Sequence, residues 1–181
     1  MVGRSHNVAG PYVDYTGQKL LNGGGTLVLA GYGRFRGPGH NSVLREGNTD
    51  YLVHHFYDAE NGGHFALQIR PLISGKDGWP LAGEPIQTEV TQTHKGSVVG
   101  SWQHSVNFDP GYTISLLPDG TIKNKGTRAT WRFRGSSLQL RWYRKDAPGG
   151  VWVDDCFVSP DGSWYVGRNQ RGIIVRGVRS S

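Results

Sequence analysis

Seven histidines, one cysteine, fourteen carboxylates and six tryptophans are the side chains here that could hold a metal, attack a substrate, move a proton or stack on a sugar. Among the histidines, His40 has the most specific setting, because Gly37-Pro38-Gly39 leads into it and lets the backbone crowd a narrow space. A lone histidine is ordinarily a hydrogen-bonded core or surface residue, so its setting matters more than its identity. His54-His55 lies on an extended stretch, which sends the two rings to opposite faces and denies them a shared metal. His6, His64, His94 and His104 have no partner at ligand spacing. Gly23-Gly24-Gly25-Thr26 lacks the lysine and the following helix of a phosphate loop. Cys156 follows Asp154-Asp155 in an apolar run, which points to a buried thiol of raised pKa rather than a nucleophile. Those two aspartates, adjacent on a strand, split between its faces and do not form a paired acid–base site. Sugars bind through their CH faces on aromatic rings, and Trp102, Trp131, Trp142, Trp152 and Trp164 are available in the second half. Trp102 and Trp142 are the candidate sugar-binding pair, set against the expectation that at least three of the five fill a small β-core.

The elements that position these residues read as strands. Twenty-eight glycines and nine prolines in 181 residues, with few helical apolar patterns, indicate an all-β chain with many turns. In the first half, 26–30 reads as an apolar strand, 51–57 as a strand covered on both faces, and 64–70 as a half-exposed strand. Asn61-Gly62 between the last two favours a hairpin. A boundary is expected within 81–96, dividing the chain into 1–88 and 89–181. Beyond it, strands are expected at 101–108, 112–117, 121–123, 129–133, 138–143, 151–158, 163–166 and 173–178, with turns at Pro118-Asp119-Gly120 and Pro160-Asp161-Gly162. Such spacing suggests a small antiparallel barrel.

Charge and hydropathy narrow the partners. Residues 1–88 hold seven Lys/Arg and seven Asp/Glu, so the whole net charge of +6 falls in 89–181. Its basic residues alternate with apolar ones, as in Trp131-Arg132-Phe133-Arg134, which is a solvated sheet face; no nucleic-acid partner is expected. No run approaches the roughly 20 apolar residues of a membrane span, so no membrane partner is expected. The first residues carry no export-signal pattern, and the compartment stays open. One cysteine excludes an internal disulfide.

Several blocks taken in order carry a resemblance. They are Ser5-His6-Asn7-Val8-Ala9-Gly10-Pro11-Tyr12-Val13-Asp14, then Gly37-Pro38-Gly39-His40-Asn41, then Tyr51-Leu52-Val53-His54-His55-Phe56-Tyr57-Asp58. Leu67-Gln68-Ile69-Arg70-Pro71-Leu72 and Asp77-Gly78-Trp79-Pro80 follow. Over residues 1–88 this order resembles the last part of the propeller of glycoside hydrolase family 43, in the arabinanase branch that cleaves α-1,5-linked L-arabinan. Trp164-Tyr165-Val166-Gly167-Arg168-Asn169 and Ile174-Val175-Arg176-Gly177-Val178-Arg179 are similar, more weakly, to the β-barrel domain that follows the propeller in larger arabinanases.

The resemblance implies a partial β-propeller of one to two blades followed by a small antiparallel β-barrel. It implies an inverting hydrolysis that uses two carboxyl groups, one as acid and one as base, with a third that tunes the acid. The family carries all three upstream of the region matched here, so no catalytic residue is assigned. Asp14, Glu46, Asp50, Asp58 and Glu60 read as strand-end and turn residues. For His40 the resemblance implies a place on the propeller channel and a calcium-like metal largely ligated by water; no organic cofactor is implied. The implied partner is arabinan or an arabino-oligosaccharide, and the family is usually secreted. A partial propeller also implies a homo-oligomer or a missing N-terminal half. The rival readings are a non-catalytic arabinan- or pectin-binding module and a glycosidase rebuilt by self-association.

Overall fold

A computed structural model describes residues 1–86, 96–124 and 126–180. It is all-β, with short 3-10 turns at Leu20–Asn22 and Pro148–Gly150 as the helical pieces among the described residues. The strands are β1 (Phe35–Glu46), β2 (Thr49–Asp58), β3 (His64–Ser74), β4 (Pro80–Ala82), β5 (Gly100–Val106), β6 (Tyr112–Leu116), β7 (Ile122–Lys123), β8 (Ala129–Arg134), β9 (Ser137–Tyr143), β10 (Val151–Val158), β11 (Trp164–Asn169) and β12 (Ile174–Arg179). The expected boundary near 88/89 and His94 lie outside the described residues.

The first four strands form an antiparallel meander in the order β1-β2-β3-β4, the arrangement of one propeller blade. Two expectations for this region need correction. Residues 27–30 form no strand; Thr26 makes one bridge to Val2, while Leu27, Leu29 and Ala30 pack into a core cluster beneath the sheet. The apolar run there marks burial, not pairing. Strand β2 is covered on one face rather than two, since Leu52, His54, Phe56 and Asp58 are buried and the residues between them are partly or fully exposed.

Strand β3 alternates as expected, but with inverted polarity. Its buried side chains are Gln68 and Arg70, whereas Phe65, Leu67 and Ile69 face outward. Arg70 is held inside because its Nε donates to Gln68 Oε1 at 2.7 Å and its Nη1 to Tyr32 Oη and the Gly83 carbonyl at 2.8 and 2.9 Å. Hydrogen-bonding partners, not side-chain polarity, decide which face of β3 is covered.

The remaining eight strands form one sheet in the order β7-β6-β5-β12-β11-β10-β9-β8. The sheet curls until its edges meet: Thr121 bridges Thr130, and Trp131 N–H donates to the Gly120 carbonyl at 2.8 Å. This is a nearly closed barrel. Strand β9 shows the local cause, since Leu138, Leu140 and Trp142 point inward and alternate with Gln139, Arg141 and Tyr143. Each fully buried leucine contributes roughly 1.5–3 kcal/mol. Trp102, Ile114, Leu116, Tyr165 and Val175 complete the closed interior. Gly177, paired with Tyr165 across β11 and β12, is where only glycine fits; a Cβ there would lie 2.2 Å from the Tyr165 ring.

The two sheets are tied together. Glu84 Oε2 accepts from Tyr32 Oη at 2.6 Å, and Glu84 Oε1 accepts from Arg176 Nε at 2.7 Å, with the Arg176 guanidinium 4.0 Å from the Tyr32 ring centre. Arg168 reaches back from β11 to the carbonyls of Leu27 and Pro80 at 2.7 and 3.1 Å. Beneath these contacts Leu81, Phe108, Val166 and Ile174 share one cluster with Leu27, Ile73 and Trp164.

Candidate functional site

His40 sits on β1 within the second of two register shifts, between Gly39 and Ser42, that bulge this edge strand. Its backbone is left-handed (φ 46°), which costs a non-glycine residue conformational energy. The preceding Gly39 is needed for close approach, because a Cβ there would stand 3.1 Å from Cε1 of His55. As a result the Nδ1 atoms of His40 and His55 come to 3.2 Å, their ring centres 5.0 Å apart. His54 and His55 do split between faces: His54 is buried and its Nδ1 bonds the His55 carbonyl at 2.8 Å. The partner of His40 was not visible in the sequence, because it comes from the neighbouring strand's register, Gly39 opposite His55.

His40 and His55 offer two imidazole nitrogens, so a calcium ion here would take most of its ligands from water. Calcium takes 6–8 oxygen ligands, whereas two imidazole nitrogens suit a first-row transition ion. Cis ligands at zinc-like bond lengths lie about 2.9–3.4 Å apart, which brackets the observed separation. No third His, Cys, Asp or Glu joins the pair among the described residues.

The nearby carboxylates are engaged in structure. Asp14 Oδ1 accepts from the Thr16 and Gln18 amides and Oδ2 from the Gly25 amide, and these bonds, Gly25 first, hold its pKa below the ordinary carboxylate value. Asp58 forms a forked pair with Arg34, which lowers its pKa in the same way. Asp50 pairs with Arg45 at 2.8 Å.

Of the two candidate tryptophans, Trp102 is fully enclosed in the barrel core with its indole N–H donated to the Val98 carbonyl at 2.9 Å, so its ring offers no platform. Trp142 is different. It lines a cavity of about 530 Å³ at one end of the barrel, where β5, β9 and β11 end and β6, β10 and β12 begin. Tyr112 and Trp152 form further wall, and Arg144 stands at the exposed rim.

Two buried titratable groups line this cavity. Asp154 is 3% exposed, and its Oδ2 accepts from Trp142 Nε1 at 2.6 Å. Burial raises its pKa to about 7 against the opposing pull of that hydrogen bond, with a further push from Asp155. His104 is 1% exposed; its Nδ1 bonds Tyr165 Oη at 2.7 Å and its ring stands 5.1 Å from that of Trp142. Burial lowers its pKa to about 4, so it is neutral at pH 7. The sequence placed Asp154 on one face of β10 but held no sign that His104 would line the same cavity. Cys156 is buried in the core, its pKa pushed well up by the same loss of water.

No protein-family model matches the chain. It is 43% identical over 84 residues to the extracellular exo-α-(1→5)-L-arabinofuranosidase ArbA of Cellvibrio japonicus, covering 46% of this chain and 24% of that protein. It is 40% identical over 78 residues to the extracellular endo-α-(1→5)-L-arabinanase 1 of Bacillus subtilis, covering 43% of this chain and 23% of that protein. Among solved structures, the endo-1,5-α-L-arabinanase from Thermotoga petrophila RKU-1 superposes with a TM-score of 0.73 over 99% of this chain and 46% of its own, at 20% identity. That last likeness is one of fold. The matched stretch spans about a quarter of the length of the two curated relatives. The chain is thus similar to a C-terminal portion of the glycoside hydrolase family 43 arabinanases, and its all-β architecture is theirs.

Proposed function

We propose that this chain forms part of a family 43 arabinanase-type glycoside hydrolase that binds or acts on α-1,5-L-arabinan. The supporting observation is the 43% identity over 84 residues to an exo-α-(1→5)-L-arabinofuranosidase. Both curated relatives are described as extracellular, which favours the same setting for this protein. The blade β1–β4 then serves as one unit of a larger ring, with its bulged edge strand carrying His40 beside His55. Inverting hydrolysis needs an acid and a base about 6.5–9.5 Å apart, and no position of this sequence matches the family's pair. The commitment of Asp14, Asp50 and Asp58 to turns and ion pairs favours a second reading, a module that binds arabinan without cleaving it.

Debranched arabinan tests both. Retardation of the chain in an arabinan-containing native gel, with no reducing sugar released, supports the binding reading. Release of arabino-oligosaccharides by the repurified chain supports a complete catalytic site. Absence of both retardation and release would remove arabinan as the ligand.

A further inference from the structure

We propose that the open end of the eight-stranded barrel is a saccharide-binding site, which takes one or two neutral sugar units against Tyr112 and Trp152 with a hydroxyl reaching Asp154 and His104. The cavity there, about 530 Å³, falls in the range of about 300–1,000 Å³ typical of small-ligand sites. Its composition is that of a site rather than a packing gap. Tyr112 and Trp152 are partly exposed, unlike Trp102 in the closed core; the Arg171 guanidinium lies 4.9 Å from the Trp152 ring centre over one face, which leaves the other for the sugar's CH groups.

The polar groups lining the cavity argue the same way. Asp154 and His104 are each nine-tenths buried or more, and each spends one polar atom on the protein, Oδ2 on Trp142 and Nδ1 on Tyr165. Asp154 Oδ1 and His104 Nε2 take no part in the side-chain hydrogen bonds of the described residues and are not among its sealed unpartnered polar atoms, and both side chains line the cavity. A polar guest entering the cavity would find both atoms available to it. A hydroxyl both donates and accepts, so it can satisfy a carboxyl oxygen and an imidazole nitrogen together. Asn169 also lines the cavity; its Oδ1 accepts from the Arg171 and Ile173 amides, which fixes the orientation of its amide group. Arg144 at the rim is neutralised by its forked pair with Asp146, and hydroxyl, amide and indole groups supply most of the remaining polar lining, which favours a neutral polyhydroxy ligand.

This site lies on the eight-stranded sheet and is independent of the arabinanase reading; a saccharide other than arabinan would satisfy it. The test is titration of the whole chain with arabinobiose, xylobiose and maltose, followed by calorimetry and by the indole N–H signals of Trp142 and Trp152. The expected result is a saturable shift of both indole signals with at least one of these sugars. Tyr112→Ala and Trp152→Ala should each weaken that binding by about tenfold, the effect of losing one stacked aromatic surface. Asp154→Asn, which keeps an oxygen for Trp142, should weaken it as well. If no sugar moves either indole signal, the proposal is overturned. Saturation by tetramethylammonium but by no sugar would equally overturn it, in favour of a cation cage. Unchanged sugar affinity in both aromatic variants would do the same. Should an aromatic variant fail to fold, the indole shifts of the unaltered protein decide the matter alone.

Discussion

His40 and His55, fifteen residues apart, place their Nδ1 atoms 3.2 Å from each other across the bulged edge of the first sheet. At that distance one ring donates its N–H to the other, or both turn their lone pairs to one ion. If a transition ion binds, nickel should raise the melting temperature through linkage, and His40→Ala and His55→Ala should each abolish the rise. A calcium ion held by His40 through water would instead stabilise the protein in the His55→Ala variant too. Thermal scans with nickel, calcium and chelator separate the two, and indifference to both metals leaves the histidines as a hydrogen-bonded pair.

The Asp154–His104 pair should give opposing pH dependences. Asp154, raised from 3.8 to about 7 in the fold, keeps its proton where the unfolded chain has lost it, so its contribution to stability is lost as pH rises through that window. His104, lowered from 6.5 to about 4, has lost its proton where the unfolded chain keeps one, so its contribution is lost as pH falls from 6.5 to 4. The two slopes cancel between about pH 4 and 6.5, each reaching at most about 1.4 kcal/mol per pH unit. Asp154→Asn should therefore become more stable from pH 4 to 6.5, and His104→Gln less stable. Denaturant titrations across that range check the signs; parallel slopes in the two variants would show that burial does not set the titration of both groups.

Glu84 stands between Arg176 and Arg70 with only 15% of its side chain exposed. Glu84→Ala leaves two largely buried guanidinium groups without their counter-charge and should cost about 3 kcal/mol. A loss under about 1 kcal/mol in urea melts would show that water replaces the carboxylate, and that the contact between the sheets rests on the apolar cluster below.

Phe65, Leu67 and Ile69 form an outward apolar row on β3, with Phe65 79% exposed. Tyr57, His55 and Val53 stand opposite them on β2. Such a face favours association, and residues 1–88 carry no net charge to resist it. Light scattering is expected to report a homo-oligomer that Phe65→Ser with Leu67→Ser shifts toward monomer. Monomer at every concentration would remove this face as a contact.

Hydrolysis of arabinan by the chain alone is expected to be absent, because no position matches the family's acid and base, and Asp14, Asp50, Asp58 and Glu60 are tied to Arg34, Arg45 and backbone amides. Turnover that Asp58→Asn or Glu60→Gln abolishes would assign these groups to catalysis.

Local pattern was enough to find most of the strands. Leu138, Leu140 and Trp142 alternate with polar neighbours, so β9 could be bounded to within a residue, and β10 was bounded at 151–158 as observed, because side-chain direction on a strand has period two. The same rule placed Asp154 and Asp155 on opposite faces. The resemblance rested on ordered motifs such as Gly37-Pro38-Gly39-His40, which a linear sequence displays directly. Tertiary structure decided what the pattern could not. Leu27 and Leu29 look like a strand but are core residues, since apolarity reports burial and not hydrogen-bond partners. Phe65 and Leu67 face outward because Gln68 and Arg70 find partners inside, an outcome set by Tyr32 and Gly83 from elsewhere in the chain. The meetings of His40 with His55, of Asp154 with Trp142 and of His104 with Tyr165 depend on strand register and barrel closure. Those are fixed by the sum of contacts across the sheets, and no single stretch of sequence encodes them.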